Sequence, residues 1–321
     1  MIFGDDILKK LLMKILICTI IFYSQMTFNA VAVNYGDRAE IHLEKFSRIG
    51  SRSVATQSEK ISREYIENTL SEMGYKVKNL KFKVEDYDTY NIEVNKKGKD
   101  TSKTIIIGAH YDGRIEGNAC DDNGSGISVL LELCEVLKDI ESPYNLKFIF
   151  FGAEEINVLG RGLHGSYDYV ESLSKREKNK IKYMINLDTL VSGDKMYAYN
   201  CYKNEEMNDE SKELLMKLRE VSQVNNINLN FNFNDDENVS FTNTKSDYYP
   251  FFEIGVPVIY FESTNWEAGD KDGRSQTESL GRIIHTPSDN LILIESLYEN
   301  RIKERLRDYV NLVKEFVLSY V

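Results

Sequence analysis

The chain has 321 residues, of which 42% are hydrophobic and 28% are charged. This composition is typical of a soluble globular protein and excludes a disordered chain, and the length suits one large α/β domain or two small ones. A formal net charge of −11 argues against nucleic acid and against an anionic membrane surface as partners.

The N-terminal segment is typical of an export signal. Basic residues precede the apolar run 15–22, and Ala30-Val31-Ala32 then supplies a small-x-small cleavage pattern. The apolar run is too short to span a bilayer comfortably. We therefore predict a signal peptide over residues 1–32 and a secreted or extracytoplasmic protein with no stable membrane span after cleavage. A buried N-terminal helix is the alternative.

The rest of the chain, from residue 38 to residue 321, shows no internal repeat and no proline-rich linker, which predicts a single domain. Beyond Cys18 it contains Cys120, Cys134 and Cys201, an odd number without a CxxC spacing. We expect no disulfide framework and no cysteine-based metal site, and we expect Cys134 to lie in the core. Stability must then come from a large hydrophobic core.

The predicted elements alternate between strands and helices. In chain order they are a helix over 58–73, strands over 76–84 and 90–94, a hairpin turn over 95–103, a strand over 104–109, a helix over 126–137, a strand over 147–153, a helix over 167–174, a strand over 183–187, a helix over 210–221, an alternating strand over 227–233, a strand over 257–261 and a last helix over 297–320. Such alternation predicts a three-layer α/β/α sandwich around a mixed, mostly parallel central sheet.

Polar residues follow three consecutive predicted strands at the point where each strand ends. The strand 104–109 runs into His110-Tyr111-Asp112, the strand 147–153 into Glu154-Glu155, and the strand 183–187 into Asp188. Asp122 lies just before the helix 126–137, and His285 follows the strand 257–261 after a long polar loop. Sheets of this kind bind ligands beyond the carboxyl ends of their strands, so we expect these side chains at one rim.

Each of these residues alone has an ordinary structural explanation. Asp122 could cap the N-terminus of a helix, Asp188 could be a turn residue, and a single histidine after a strand is commonly a loop residue. Together they offer two imidazoles and three carboxylates, which are ligand types that suit zinc and similar divalent ions. Two metals that share one carboxylate would use all five, and such pairs lie roughly 3.5–4 Å apart.

These segments resemble, in order, the motifs of the M28-type zinc aminopeptidases. The matching segments are His110-Tyr111-Asp112, Asp122-Asn123-Gly124-Ser125-Gly126, Glu154-Glu155, Asn186-Leu187-Asp188 and Ile284-His285-Thr286, with Ser246-Asp247 and Phe261-Glu262-Ser263 as further pieces. The resemblance covers the chain from about residue 59 to the C-terminus. It implies a bacterial exported member of the family, with residues 38–321 as a single zinc peptidase catalytic domain.

The resemblance also implies a role for each residue. Asp122 would bridge two zinc ions, which His110 with Asp188 and Glu155 with His285 would complete. Asp112 would hold the far nitrogen of His110. Glu154 would act as general base on a zinc-activated water and then protonate the leaving amine. The implied enzyme is a metal-dependent aminopeptidase that removes N-terminal residues from peptides with a free N-terminus.

Some positions depart from the family pattern. The connection from residue 156 to residue 164 before Gly165-Ser166 is longer, and it ends in His164, which is either a loop residue or a residue facing the pocket. No tyrosine immediately precedes Ser246-Asp247, so a helper for the oxyanion is either absent or supplied by Tyr248. The polar loop 265–282, which contains Trp266, either forms a rim of the pocket or faces solvent.

Other functions stay open at this point. A glutaminyl-peptide cyclase with a single zinc is similar in fold, but such cyclases have a tryptophan before the last histidine where this chain has Ile284. A non-catalytic binding domain is a second alternative, since one fold hosts unrelated functions. A dipeptidase or a carboxypeptidase would differ only in which substrate terminus it recognises.

Overall fold

A mixed β-sheet forms the centre of the protein in a computed structural model that describes residues 34–155, 160–205 and 207–319. Its strands are β1 (Lys78–Val84), β2 (Tyr87–Lys96), β3 (Asp100–His110), β4 (Tyr144–Phe151), β5 (Ile181–Leu187), β6 (Lys195–Tyr199), β8 (Leu229–Asn230) and β10 (Val258–Thr264). Strands β7 (Cys201–Tyr202) and β9 (Phe241–Thr242) pair separately as a small parallel ladder.

The order of the strands across the sheet is β1-β2-β4-β3-β5-β10-β6-β8. The four central strands β4, β3, β5 and β10 run parallel to one another, and β6 and β8 are also a parallel pair. The pairs β1/β2, β2/β4 and β10/β6 are antiparallel. The predicted α/β class with a mixed, mostly parallel sheet is therefore confirmed.

Helices cover both faces of the sheet. They are α1 (Asp37–Ile49), α2 (Gln57–Glu72), α3 (Gly126–Leu137), α4 (His164–Ser172), α5 (Lys175–Lys178), α6 (Asp209–Val224), α7 (Tyr249–Glu253), α8 (Leu291–Leu297) and α9 (Arg301–Ser319). Side chains alternate along each strand, so Ile105 and Ile107 pack in the larger core with α1, α3 and α9, whereas Ile106 packs in the smaller core with α4 and α7. The three predicted layers are present.

The hairpin predicted at residues 95–103 is wrong. β2 does pass into β3 through a short connection, but the two strands are not neighbours, because β4 lies between them. The backbone N–H groups of Lys99 and Asp100 donate instead to Ser142 and Pro143, just before β4. The observed hairpin is the preceding pair β1/β2, which Glu85 and Asp86 connect.

Several boundaries also differ from the predictions. The last helix is divided, with α8 ending at Leu297 and α9 beginning at Arg301, and Asn300 between them has a φ of 65°. The predicted strand 227–233 shortens to Leu229–Asn230, with Phe231 and Phe233 stacked on each other beyond it. The sequence analysis did not predict α1 or β6, although α1 has a buried stripe at Ala39, Leu43 and Phe46.

The cysteines follow the expectation for the core. Cys120, Cys134 and Cys201 are buried and free, with Cys134 fully buried on α3. The predicted signal peptide over residues 1–32 lies outside the described residues and stays a prediction. Among the described helices, none is long and apolar enough to cross a membrane.

Candidate metal centre

Three of the central parallel strands deliver polar groups to the same edge of the sheet. His110 is the last residue of β3, Asp188 directly follows β5, and Glu154 and Glu155 lie just beyond the end of β4. Parallel strands end at a common edge, so these residues meet although they are far apart in sequence.

The turn Cys120–Ser125 brings Asp122 to the same place, and two buried groups hold that turn. The carboxylate of Asp289 accepts the backbone N–H groups of Asp121 (2.7 Å) and Asp122 (3.2 Å). The fully buried guanidinium of Arg52 donates to the carbonyls of Tyr111 (2.9 Å) and Ala119 (2.7 Å). These bonds fix the backbone that leads into Asp122.

One group of potential ligands consists of His110, Asp122 and Asp188. Nε2 of His110 lies 3.3 Å from Oδ1 of Asp122 and 3.4 Å from Oδ1 of Asp188. All three residues are buried. A second group consists of Asp122, Glu155 and His285, in which Nε2 of His285 lies 2.8 Å from Oδ2 of Asp122 and 3.2 Å from Oε1 of Glu155. Asp122 thus directs one carboxylate oxygen to each group.

The hydrogen bonding of His110 fits a cation at this point. Its Nδ1 lies near the carbonyl oxygen of Asp112 (3.3 Å) and the carboxylate of Asp112 (3.5 Å), so Nδ1 carries the hydrogen. Nε2 is then a bare acceptor, and it is buried without a hydrogen-bond partner while it faces carboxylate oxygens. Ligands about 2.0–2.2 Å from a tetrahedral zinc lie about 3.3 Å from one another, close to the separations observed.

Asp112 was predicted to hold His110, and its main contacts are with a different partner. Its two carboxylate oxygens accept the backbone N–H groups of Glu154 (2.9 Å) and Glu155 (3.1 Å). The distance of 3.5 Å to Nδ1 of His110 is longer than either of these bonds. Asp112 therefore orients the pair of glutamates and His110 together.

Glu154 belongs to neither group of ligands, although its Oε2 lies 4.0 Å from Nε2 of His110. Burial raises the pKa of Glu154 well above its ordinary value, the neighbouring His110 opposes this, and the negative charges of Glu155, Asp247 and Asp188 add to it. A carboxyl group in this position holds a proton more readily than an ordinary glutamate does.

These side chains open into a cavity of about 490 Å³. Besides Glu154 and four of the potential ligands (Asp122, Glu155, Asp188 and His285), its lining includes Arg114, Lys245, Tyr260, Glu262, Arg274, Gln276, Arg282 and Ile284. The loop 265–282 therefore contributes part of the rim, and Nη2 of Arg282 lies 2.7 Å from Nδ1 of His285.

Two residues that the sequence left undecided do not line this cavity. His164 begins α4 and lines a separate depression beside Arg161 and Tyr167. Tyr248 is buried in the smaller core, and its hydroxyl donates to the carbonyl of Thr244 (2.8 Å). Neither position supports a role for these side chains at the reacting groups.

Sequence reasoning missed the residues that support the centre. Arg52, Asp121 and Asp289 are almost fully buried, and Asp121 accepts the backbone N–H groups of Val191 and Ser192 just after β5. Asp121 could have been suspected from its position beside Asp122, and Asp289 from its place after His285. Arg52 stands in a loop before α2 with no local pattern to single it out.

The sequence over residues 91–310 matches the model of peptidase family M28. The chain belongs to peptidase family M28. The resemblance predicted from the motifs is therefore confirmed, and so is the prediction of an enzyme of the peptidase class.

Relatives of this M28 member cover different shares of its length. It is 26% identical over 309 residues to the alkaline phosphatase isozyme conversion protein of Escherichia coli, which covers 83% of this chain and 85% of that protein. It is 32% identical over 218 residues to aminopeptidase YwaD of Bacillus subtilis, which covers 68% of this chain and 41% of that protein. The chain thus matches less than half of the length of YwaD.

Solved structures share the fold of this M28 member. A zinc aminopeptidase from Bacillus subtilis, BSAP, matches with a TM-score of 0.70 at 20% identity over 88% of this chain and 94% of its own. A glutaminyl cyclase from Porphyromonas gingivalis matches with a TM-score of 0.69 at 18% identity over 89% of this chain and 99% of its own. Proteins named for two activities share this fold, so the fold alone does not separate them.

The support of the turn by Asp289 can be tested by substitution. We expect Asp289→Ala to lower the free energy of unfolding by about 1–3 kcal/mol for each buried group that loses its partner. Ser288→Ala is the matched control, because it changes a neighbouring residue of the same loop. Urea denaturation followed by tryptophan fluorescence measures both, and equal midpoints for the two variants would contradict the role of Asp289.

Proposed function

We propose that this M28 member is a zinc-dependent aminopeptidase that uses two ions per chain and works outside the cytoplasm. The observation that carries the proposal is the pair of ligand groups that share Asp122, beside a buried carboxyl group that belongs to neither. Two such groups within reach of one cavity fit a two-ion hydrolase.

The residues that would hold the ions follow from the two groups. His110, Asp122 and Asp188 would hold one ion, and Asp122, Glu155 and His285 would hold the other. When bound, the ions would supply a water of lowered pKa and polarise the carbonyl of the scissile peptide bond. Arg282 cannot accept the hydrogen that Nδ1 of His285 would then carry, so this exposed side chain would turn away.

Glu154 would move the proton. Its backbone is fixed by Asp112, and its carboxylate lies on the cavity side of His110. It would take a proton from the attacking water and deliver it to the nitrogen of the leaving amine, which restores the carboxylate for the next cycle. Asp112 would keep the relative positions of Glu154 and His110 fixed during both proton transfers.

The charges of the site support recognition of a free N-terminus. The lining of the cavity places the carboxylates of Asp122, Glu154, Glu155 and Asp188 around the reacting position. A substrate ammonium group beside the scissile carbonyl would be attracted by these groups, whereas a blocked terminus would not. The preference for exopeptidase over endopeptidase cleavage would come from this attraction.

A glutaminyl-peptide cyclase is the second candidate, favoured by the similarity of fold to the cyclase of Porphyromonas gingivalis. Two features of this chain count against it. Ile284, not tryptophan, precedes His285, and the ligand groups offer two sites instead of one. A non-catalytic binding domain is less well supported than the cyclase, because it would not need a complete set of potential metal ligands beside Glu154.

Substrates with blocked ends separate these functions. We expect release of free amino acids from unmodified and C-terminally amidated peptides, and no reaction with N-acetylated ones, because the free ammonium group is the recognised feature. Product analysis by mass spectrometry makes the measurement. Cleavage of the acetylated peptides would indicate a carboxypeptidase, cleavage of dipeptides alone a dipeptidase, and conversion of N-terminal glutamine to pyroglutamate a cyclase.

Replacement of the proposed base tests the chemical step. Glu154→Gln should lower kcat by on the order of 10²–10⁴-fold, because the amide cannot take the proton, and zinc should stay bound. Glu116→Gln is the control, since Glu116 is an exposed carboxylate near the site that pairs with Arg114. Near-normal turnover by the Glu154 variant would remove this residue from the mechanism.

The number of ions is a separate prediction. The purified protein should bind two zinc ions per chain, and His285→Ala should retain one, because the group around His110 is left complete. Elemental analysis after dialysis against trace zinc gives the count. A single ion in the unchanged protein, with none lost on replacing His285, would rule out the shared site.

A further inference from the structure

A buried carboxylate that the proposed mechanism does not use lines the cavity. Glu262 lies on β10, is 3% exposed, and lines the cavity together with Tyr260. The two residues are separated by one position, so both side chains lie on the face of the sheet that carries the smaller core. An aromatic ring and a carboxylate therefore stand side by side at one wall.

A chain of hydrogen bonds orients Glu262 as an acceptor. The indole Nε1 of Trp266 donates to the hydroxyl oxygen of Tyr199 (2.8 Å). An indole nitrogen is only a donor, so the hydroxyl hydrogen of Tyr199 is left to point elsewhere. Glu262 is its hydrogen-bond partner.

This carboxylate has no basic partner within the described part of the chain. The carboxylate of Glu262 is buried, and its side-chain hydrogen-bond partner is the neutral hydroxyl group of Tyr199. A buried carboxylate in such surroundings is costly unless a cation pairs with it, so a positively charged ligand gains most at this point.

The basic residues of the cavity are placed differently. The side chain of Arg274 is 64% exposed and faces Asp272, and Arg114, 28% exposed, pairs with Glu116 at 3.3 Å and lies 3.8 Å from Glu155. Charges that are solvated or already paired attract a ligand weakly. The buried charge of the wall is negative, and the solvated charge of the rim is positive.

We propose that Tyr260 and Glu262 form the pocket for a positively charged side chain, lysine or arginine, on the first residue of the substrate. The proposal rests on the aminopeptidase function described above. The cation would pair with the carboxylate of Glu262, and Tyr260, whose ring is stacked on the rings of Tyr199 and Tyr248, would form a fixed wall beside it.

The α-ammonium group of the substrate is a less suitable partner for Glu262. It is bonded to the carbon next to the scissile carbonyl, so it must stay beside Glu154 and the ligand groups. The strand order β4-β3-β5-β10 places Asp188, at the end of β5, between His110 at the end of β3 and Glu262 on β10. Glu262 thus lies on the other side of Asp188 from His110 and Glu154, where the side chain of the first substrate residue would extend.

The test compares arginine with citrulline, which has nearly the same shape without the charge. We expect kcat/KM of the zinc-loaded enzyme for arginine anilide to exceed that for citrulline anilide by roughly 10–100-fold, the range of a charged hydrogen bond. Glu262→Gln should bring this ratio close to one. Glu267→Gln should keep the ratio, because that carboxylate is 77% exposed and pairs with Lys195.

A second variant and a second measurement distinguish loss of the pocket from loss of the folded state. Tyr199→Phe should lower the ratio partially, since it removes the hydrogen bond that orients Glu262 and the acceptor of Trp266 but leaves the carboxylate in place. In Glu154→Gln enzyme, calorimetry should show tighter binding of an arginyl peptide than of a citrullinyl peptide. Equal kcat/KM values and equal affinities for arginine and citrulline substrates, or a higher kcat/KM for glutamate anilide, would overturn the proposed pocket.

The two proposals fail in distinguishable ways. Cleavage of leucine anilide without discrimination between arginine and citrulline would overturn the pocket and leave the aminopeptidase in place. Tighter binding of the arginyl peptide without cleavage of any anilide would support the pocket and overturn the aminopeptidase.

Discussion

Carboxylates withdrawn from water set the main physical constraint at the centre of this M28 peptidase. Asp112, Asp121 and Asp289 are at most 1% exposed, and Asp122, Glu155, Asp188 and Glu262 at most 9%. Charges of one sign gathered in a low-dielectric interior repel one another and lose their hydration. The local backbone is arranged so that each carboxylate finds a donor, an imidazole or a place for a cation.

The buried carboxylates of the site are stabilised in two different ways. Asp112, Asp121 and Asp289 each accept two backbone N–H groups, which holds the turns after β3, β4 and β5 in fixed positions. The carboxylates of the ligand groups instead face imidazole nitrogens and the cavity. The first set supplies rigidity, and the second set is left available for ions.

The parallel sheet explains why the two sets of carboxylates lie at the same place. The strands β4, β3, β5 and β10 end at one edge, and register between neighbours fixes the height at which each side chain emerges. Ligands on adjacent strand ends therefore need no flexible loop to meet. Two potential ligands are exceptions: Asp122 lies on the turn Cys120–Ser125, and His285 comes from the loop after β10 and is 25% exposed.

Much of this could be predicted from local sequence. Apolar runs that stop at a polar residue identified β3, β4 and β5, and the motifs at their ends identified His110, Glu154 and Asp188. Pairing between distant segments leaves no such local mark. The insertion of β4 between β2 and β3 was missed for this reason, as were the bonds from Arg52 and Asp289 to the turn at Asp122.

The bond from Asp289 to the turn at Asp122 joins residues that are 167 positions apart, and His285 lies in the same late segment. A growing polypeptide that ends after β5 contains His110, Asp122 and Asp188 but neither of these partners. Contacts of such long range form only after the intervening chain has been ordered. Synthesis from the N-terminus thus delays completion of the centre until nearly the whole peptidase has been made, and incomplete chains lack the second group of potential ligands.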